Sequence, residues 1–407
     1  MSRKIIVVGA GASGMCAAIT AARKGAKVTL IEKNDIAGKK ISMTGNGRCN
    51  ITNEAMDASC YNSSARCRMA GWLKRFGTFD TIEFMKSLGV VTTSEEGYIY
   101  PISGQATTVQ NALFDEVKRL GIKYQKSLQL KKIIPKENGG LLVKTSGDSF
   151  EAQKVIIATG ALSGPKSTMS TGDGYYILKN LGMKITDTYP ALVSLLSDDK
   201  DLPSEYGVRM MANVSIEEIS GLLEYGEVQL TSKGISGIPV LQLSGEVSRY
   251  FLRGVKSVTA VIDFFPLYSD EEFAKLKDDI LATSVGKTYI QVLDGICNHL
   301  IGKMILSRSS IIEDKMITKD DKQCLSMVID KLRCVKINVI GTAGYLSSQV
   351  TGGGVCLDDI SDDFEYTKVP GIYVVGELLD VDGRCGGYNL QWAFTSGSIA
   401  GSAAAET

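Results

Sequence analysis

The stretch Lys4-Ile-Ile-Val-Val-Gly-Ala-Gly-Ala-Ser-Gly14 decides the fold of this 407-residue chain. Residues 5–8 are all apolar, which is typical of a strand buried on both faces. Three glycines follow in the spacing G-x-G-x-x-G, then an alanine-rich helical segment, then a second apolar strand at 26–31 that ends with Glu32. Strand, glycine loop, helix, strand and acid together form the βαβ fingerprint of a dinucleotide-binding domain.

Each glycine of the fingerprint has its own physical role. Gly9 allows a tight turn, Gly11 lets the backbone approach a pyrophosphate, and Gly14 lets the helix pack on the strand. We expect the helix start, including Ala12 and Ser13, to bind the pyrophosphate because the helix dipole favours negative charge there.

Glu32 lies 21 residues after Gly11, where its carboxylate can accept both hydroxyls of a ribose. A carboxylate at this place repels a 2′-phosphate. The fingerprint therefore favours FAD or NAD over NADP at this site.

A second glycine-rich segment lies near the end of the chain. Residues 371–375 predict a strand that runs into Gly376-Glu377, and a later helix has small residues on one face: Ala393, Gly397, Ala400, Gly401 and Ala404. Such a face lets two backbones approach closely, and we predict that its partner is the first helix, through Gly14, Ala18 and Ala21 or Ala22. Beside a flavin, the positive end of this helix would stabilise the reduced ring, which favours FAD over NAD. The alternative is a packing helix without such a role.

The composition excludes several classes of protein. Lys plus Arg and Asp plus Glu both number 45, so no global field attracts nucleic acid or anionic lipid, and we expect neither partner. Nine cysteines without a C-x-x-C pair, together with a single histidine, argue against a disulfide framework and against a metal site. The absence of a signal-peptide pattern and of a long apolar run predicts a cytoplasmic protein.

Two long segments then give a resemblance. They are Gly38-Lys-Lys-Ile-Ser-Met-Thr-Gly-Asn-Gly-Arg-Cys-Asn-Ile-Thr-Asn53 and Val374-Val-Gly-Glu-Leu-Leu-Asp-Val-Asp-Gly-Arg-Cys-Gly-Gly-Tyr-Asn-Leu-Gln-Trp-Ala-Phe394. Both resemble the signatures of a bacterial FAD-dependent flavoprotein family that includes the bile-acid-inducible flavin enone reductase and the aminoacetone oxidases. Residues 226–245 and 350–355 resemble the same family, so the likeness extends over nearly the whole chain.

The predicted fold class is α/β. We expect a discontinuous FAD domain of the two-dinucleotide-binding type, with a Rossmann-like parallel sheet, an inserted β-rich domain and a small helical subdomain. The predicted segments are the first part of the FAD domain at 1–190, a barrel-like insert at 191–267, a helical subdomain at 268–334, and the second part of the FAD domain at 335–407. Within them, the patterns predict helices over Trp72–Leu88, Ile290–Ile305 and Lys319–Lys331, and a strand over Val240–Leu243.

The resemblance and the glycine segments imply further cofactor contacts beyond the fingerprint. Leu130 would lie at the adenine through its backbone. The complete set of these expected contacts is Lys33, Lys40, Gly47, Arg48, Cys49, Asn50, Leu130, Thr159, Gly160, Gly376, Glu377, Asp380, Gly387, Tyr388, Asn389 and Leu390.

Two residues are candidates for catalysis, and each has a structural alternative. Arg48 could bind pyrophosphate or a substrate carbonyl, or it could form an ion pair within its loop. Tyr388 could act as a general acid with an unperturbed pKa of about 10, or it could be a packing residue. Cys49 has no partner in the sequence pattern, so a buried structural role outweighs thiol catalysis.

Three functions remain open at this level. The first is an FAD-dependent oxidoreductase that uses NAD(P)H and reduces a carbonyl-conjugated C=C bond by hydride transfer from N5 of the reduced flavin. The second is an FAD-dependent amine oxidase of the aminoacetone type that uses O₂, and the third is a non-catalytic flavin-binding sensor. No second βαβ fingerprint is visible, so we expect NAD(P)H to dock transiently. The expected substrate is a small carbonyl compound between the FAD domain and the insert.

Overall fold

The computed structural model describes residues 2–137, 139–203 and 207–406. Its strands are β1 (Lys4–Val8), β2 (Lys27–Ile31), β3 (Thr52–Asn53), β4 (Tyr61–Ser63), β5 (Thr92–Glu95), β6 (Tyr98–Pro101), β7 (Lys123–Gln125), β8 (Leu130–Pro135), β9 (Leu141–Thr145), β10 (Ser149–Ala152), β11 (Lys154–Ile157), β12 (Tyr189–Ala191), β13 (Leu195–Ser197), β14 (Val208–Ile216), β15 (Leu223–Thr231), β16 (Gly234–Gly237), β17 (Val258–Asp263), β18 (Val335–Thr342), β19 (Val350–Gly352), β20 (Ile372–Val374) and β21 (Val381–Gly383). Its α-helices are α1 (Ala12–Arg23), α2 (Arg66–Arg75), α3 (Thr78–Ser87), α4 (Ala106–Arg119), α5 (Pro165–Thr168), α6 (Asp173–Asn180), α7 (Ile238–Leu252), α8 (Asp270–Ala282), α9 (Tyr289–Asp294), α10 (His299–Arg308), α11 (Lys322–Asp330) and α12 (Tyr388–Glu406).

The chain divides into two compact units, and the first is discontinuous. It comprises Met1–Tyr189 and Gln349–Thr407, and the second comprises Pro190–Ser348. The sequence analysis predicted that the chain returns to the first unit at 335. In the structure it returns at 349. The reason is that β18 pairs with β13 and β17 of the second unit, so its residues belong to the insert.

A parallel sheet forms the centre of the first unit. Its order is β20-β11-β1-β2-β7, and every neighbouring pair runs parallel. Residues 5–8 are buried, as the apolar pattern predicts for a strand covered on both faces. Because the strands are parallel, their carboxyl ends meet at one edge, which is where open α/β sheets bind ligands.

Glycine packing fixes the first βαβ unit. Gly9 has φ +104°, in the left-handed region that favours glycine. A Cβ on Gly14 would lie under 3.0 Å from the Gly9 carbonyl oxygen, and a Cβ on Gly9 would lie under 3.0 Å from the Ala158 carbonyl oxygen. These contacts confirm the tight turn and the close packing of helix on strand that the spacing predicts.

Helices α1 and α12 approach backbone to backbone, as the small-residue face predicts. A Cβ on Gly397 would lie under 3.0 Å from the carbonyl oxygen of Ser13, and one on Gly401 equally close to that of Ala17. The prediction that Gly14 meets α12 was wrong, however. A Cβ on Gly14 would point at Gly9 and Ala158, so this glycine packs on the sheet, and Ser13 and Ala17 lie against α12 instead.

Two predicted helices are each broken into two. The expected helix over Trp72–Leu88 is interrupted because Phe76 is extended and the carboxylate of Asp80 accepts the backbone N–H of Gly77, which starts α3. The expected helix over Ile290–Ile305 is interrupted after Asp294, where α9 ends. A new helix, α10, begins at His299, and the side chain of Asn298 caps it by accepting the N–H of Leu300.

The second unit is built on a closed antiparallel barrel. The strand order is β13-β16-β15-β14-β17-β18, with β18 paired back to β13. The predicted strand Val240–Leu243 lies instead in α7, whose apolar side chains at 240, 243 and 247 are buried at helical spacing. The barrel and the helices α8–α11 share one hydrophobic core, so the predicted separation at 267/268 does not correspond to separate cores.

The contact between α1 and α12 gives a prediction. Gly397→Ala should lower the midpoint of thermal unfolding, because overpacking costs roughly 1–3 kcal/mol. The matched control is Gly71→Ala in α2, where a Cβ would meet nothing within 4 Å. That change should stabilise the protein by about 0.5–1 kcal/mol through helix propensity. Thermal melts compare the two variants, and stabilisation by both would contradict the close approach.

Candidate dinucleotide site

The first turn of α1 lies at the carboxyl edge of the sheet and is free of side-chain caps. The N-cap residue is Gly11, which has no side chain that could cap the helix, and no acidic residue lies in the first turn. A Cβ on Gly11 would meet nothing within 4 Å, so open space adjoins the free amides of the helix start. This geometry fits an anion such as a pyrophosphate, held by Gly11, Ala12, Ser13 and Gly14.

Glu32 holds the glycine loop from the end of β2. Its carboxylate accepts the backbone N–H of Ala10 at 2.7 Å and that of Asn34 at 2.9 Å, and the residue is 8% exposed. Each carboxylate oxygen has a further lone pair that can accept a ribose hydroxyl. Glu32 therefore has a structural role in the loop that the sequence did not reveal, in addition to the predicted role on the ribose.

Lys33 forms a polar group with the loop before α6. Its Nζ donates to the Oγ1 of Thr171 at 3.0 Å and forms an ion pair with Asp173 at 3.3 Å. The carboxylate of Asp173 also accepts from the side chain of Gln129, beside the buried Leu130 at the start of β8. Asp173 therefore joins Lys33 to Gln129, the residue that precedes Leu130.

Thr159 supplies an unsatisfied polar atom at the same edge of the sheet. Its Oγ1 is buried and has no hydrogen-bond partner among the described residues. It lies two residues after the end of β11 and precedes Gly160, which has φ +72°. The hydroxyl lies against the start of α6, where a Cβ on Gly174 would be 2.2 Å from the Oγ1, so it is enclosed by protein and does not face open space.

A half-buried carboxylate joins three distant segments of the first unit. Glu377 forms an ion pair with Lys40 and accepts hydrogen bonds from the Ser163 hydroxyl at 2.6 Å and the Thr351 backbone N–H at 2.9 Å. The Lys40 ammonium also donates to Ser163 at 2.6 Å. The sequence predicted Lys40 and Glu377 separately. It missed Ser163 and Thr351, and the only signal was the resemblance of residues 350–355.

The loop that carries Arg48 has an unusual backbone. Left-handed φ values occur at Gly45 (+55°), Asn46 (+53°), Gly47 (+84°) and Cys49 (+62°). Sites that tolerate such conformations in non-glycine residues are often functional. Arg48 projects to the hairpin β5–β6, where it forms an ion pair with the carboxylate of Glu95.

The two residues after Arg48 anchor this loop. Cys49 is fully buried, and burial raises the pKa of its thiol to about 11. With its amide oriented to satisfy both atoms, Asn50 donates to the carbonyl oxygens of Thr52 and Ile99. Within the chain, both side chains therefore serve to hold the loop in place.

The start of α12 is held by backbone contacts. A Cβ on Gly387, which has φ +92°, would lie 2.5 Å from the carbonyl oxygen of Thr52. The side-chain amide of Asn389 closes the preceding loop, because its Oδ1 accepts the N–H of Gly383 and its Nδ2 donates to the Gly383 carbonyl oxygen. Leu390 is half-buried beside it, and Asp380 accepts a hydrogen bond from the Ser64 hydroxyl at 2.8 Å.

Tyr388 is engaged with the protein on both sides. Its hydroxyl donates to the carbonyl oxygen of Ala55 at 3.3 Å, and its ring packs edge-on against Tyr61. Burial raises the pKa of the Tyr388 hydroxyl to about 12. These contacts support the packing alternative, because a weaker acid whose proton already has a partner is a poor proton donor.

The structure adds two observations about other kinds of site. Among the described residues, no three His, Cys, Asp or Glu side chains lie together in a way that could hold a metal ion. No described helix is both long enough and apolar enough to cross a membrane.

Comparison with known proteins identifies the family. Residues 3–403 match the HI0933-like protein Rossmann domain. The chain belongs to the HI0933-like family. The family match and the observed sheet confirm the predicted flavoprotein resemblance and the predicted Rossmann-type fold with an inserted β-rich unit.

The HI0933-like chain has curated relatives of similar length. It is 36% identical over 408 residues to the 3-dehydro-bile acid delta(4,6)-reductase of Clostridium scindens, and the alignment covers 99% of both proteins. It is 29% identical over 402 residues to the ribosomal RNA dihydrouridine synthase of Haemophilus influenzae, with 96% of each covered. It also resembles the solved 3-ketosteroid-delta4-(5alpha)-dehydrogenase of Rhodococcus jostii RHA1, with a TM-score of 0.52, 13% identity and coverage of 100% and 97%, which shows a shared fold.

The hydrogen bonds of Glu32 give a second prediction. Glu32→Ala should weaken FAD binding and also lower the melting temperature of FAD-free protein. Two backbone N–H groups would lose a charged acceptor, at roughly 1.5–3 kcal/mol each. Calorimetric FAD titration and thermal melts measure the two effects, with exposed Glu83→Ala as the control. Unchanged FAD affinity would show that the carboxylate serves the loop and not the ribose.

The buried thiols give a third prediction. At pH 8, iodoacetamide should modify the exposed Cys67 and Cys334 and leave Cys16 and Cys49 unmodified. Burial raises the pKa of Cys16 to about 12 and that of Cys49 to about 11, so both are protonated, and only the thiolate reacts. Peptide mass spectrometry identifies the modified residues, and urea-unfolded protein is the control. Rapid labelling of native Cys49 would support thiol chemistry at this loop.

Proposed function

We propose that this HI0933-like protein is an FAD-dependent oxidoreductase that reduces a carbon–carbon double bond conjugated to a carbonyl group. The proposal that the protein binds FAD rests on the space at the carboxyl edge of the sheet, beside the start of α1. There, the uncapped start of α1 and the open face of Gly11 adjoin the strands of one parallel sheet.

The residues that would hold FAD divide by the part of the molecule they suit. Gly11 and the first turn of α1 suit the pyrophosphate, and Glu32 suits the ribose hydroxyls. Lys40, held by Glu377, is a cation that suits an anionic or carbonyl oxygen of the cofactor. Bound FAD supplies a hydride acceptor and donor that no side chain of the chain provides.

The type of reaction is supported by what two relatives have in common. One is named as a reductase of the 4,6 double bonds of a 3-dehydro-bile acid, and the other as a synthase of dihydrouridine in ribosomal RNA. A 3-dehydro steroid with a double bond at carbon 4 and a uracil ring both contain a C=C bond conjugated to a carbonyl. Reduction of that arrangement is the chemistry that both names share.

The residues of the chain would position the substrate and stabilise charge. A hydride added at the β-carbon moves electron density to the carbonyl oxygen, and a proton from water completes the product at the α-carbon. Arg48 is the proposed donor to that oxygen, because a guanidinium stabilises developing negative charge. The electrons would come from NAD(P)H, for which no second fingerprint exists in the sequence, so we propose transient docking.

The substrate source has two candidates. The higher identity to the bile-acid reductase favours a small cyclic enone over a base in RNA. The balanced charge of the chain also argues against a global attraction for RNA.

The function has a direct test. Purified protein should be yellow and release FAD on denaturation, and under anaerobic conditions it should oxidise NADH or NADPH only when an acceptor is added. The acceptors are 4-androstene-3,17-dione and ribosomal RNA from cells that lack this protein, and mass spectrometry should detect the addition of two hydrogens to one of them. Folded protein that cannot be reconstituted with FAD would contradict the proposal. Oxygen consumption with an amine such as aminoacetone, without reduction of either acceptor, would favour the oxidase alternative.

A further inference from the structure

We propose that Glu95 and Tyr100 are positioning residues that hold Arg48 as the binding group for the carbonyl oxygen of an unsaturated ring. This inference rests on the proposed function and names the substrate group that the site recognises. Glu95 ends β5 and Tyr100 lies in β6, so both belong to one hairpin.

The contacts of Arg48 place it between these two side chains. Its guanidinium forms an ion pair with the carboxylate of Glu95, and its Cζ lies 4.3 Å from the centre of the Tyr100 ring. That distance is well within the range of a cation–π interaction. A carboxylate on one side and an aromatic face on the other restrict a side chain that would otherwise be flexible on the surface.

Arg48 remains available to a ligand in this arrangement. Its side chain is 44% exposed, and its only hydrogen bond within the described part of the chain is the one to Glu95 through Nη2. A guanidinium has five N–H donors, so Nε and Nη1 keep donors for a further acceptor. The fixed fork of donors suits a carbonyl oxygen in the plane of the ring that bears it.

The hairpin connects the two signature segments of the chain. Asn53, at the end of the first segment, donates through Nδ2 to the carbonyl oxygen of Gly386 in the second segment at 3.0 Å. The ring of Tyr98 also lies against Gly386, because a Cβ there would come within 2.7 Å of it. Residues 52–53 of the first segment form β3, which pairs with β6. The hairpin that holds Arg48 is therefore packed against both segments, so the pair belongs to a larger built region of the surface.

A surface ion pair without functional meaning is the alternative. Arg209 and Glu227 form such a pair on β14 and β15, with comparable exposure and a distance of 2.9 Å. Exposed pairs of this kind contribute little to stability. The difference is that Arg48 has an aromatic ring beneath it and a run of left-handed residues around it, at 45–47 and 49. Among the described residues, the Arg209–Glu227 pair has neither feature and therefore provides a matched control.

The experiment uses FAD-loaded protein and four single variants. Glu95→Gln and Tyr100→Leu should raise KM and the calorimetric Kd of the active acceptor by about three- to ten-fold, with a smaller change in kcat. Tyr100→Phe keeps the ring and should behave like the wild type, and Glu227→Gln should change nothing. The Kd for FAD should be unchanged in every variant, which separates a role toward the substrate from one toward the cofactor.

A double-variant cycle completes the test. In an Arg48→Met background, Glu95→Gln and Tyr100→Leu should have no further effect on acceptor binding, because the group that they position is gone. The enone and uridine are titrated separately, so the arm that responds identifies the source of the carbonyl ring. Additive effects in the Arg48→Met background, or wild-type Kd values for Glu95→Gln and Tyr100→Leu, would overturn the positioning role while leaving the proposed function intact. Wild-type protein that neither binds nor reduces any acceptor would overturn the proposed function, and this inference with it.

Discussion

The close approach of backbone to backbone at a few glycines is the constraint on which the first unit depends. Gly14 packs on the Gly9 carbonyl, and Gly397 and Gly401 pack on the carbonyls of Ser13 and Ala17. Each contact leaves no room for a Cβ atom. Helix α1 is consequently fixed from two sides, by the sheet and by α12, and its free N-terminus is held at the carboxyl edge.

That fixed helix gives the site its electrostatic character. The amides of α1 carry partial positive charge and have no side-chain acceptor, while Glu32 is held in place by two other backbone N–H groups. This arrangement suits the proposed binding of an anion at the start of α1 and of hydroxyl groups at Glu32. Glu377 plays a comparable part, since one carboxylate joins Lys40, Ser163 and Thr351 and orients the lysine.

Sequence reasoning failed where short-range patterns have two solutions. The run at 240–243 suits a strand as well as a buried helix, and only its packing inside the second unit selected the helix. The boundary at 335 was misplaced for a related reason. A strand of the barrel looks like a strand of the sheet in sequence, and its partners, β13 and β17, are distant in the chain.

The sequence by itself determined the first βαβ unit, the parallel sheet, the small-residue face of α12 and the candidate cofactor residues near the glycine loops. These features are local, because glycine spacing, apolar runs and a terminal acid act over a few tens of residues. Only the tertiary structure decided which face of α1 meets α12, that Ser163 and Thr351 join Glu377, and that Tyr388 already has a partner for its hydroxyl. It also placed Arg48 between Glu95 and Tyr100. Such contacts join residues that are tens to hundreds of positions apart, and their pairing is set by the packing of whole elements, for which a single sequence carries no local signal.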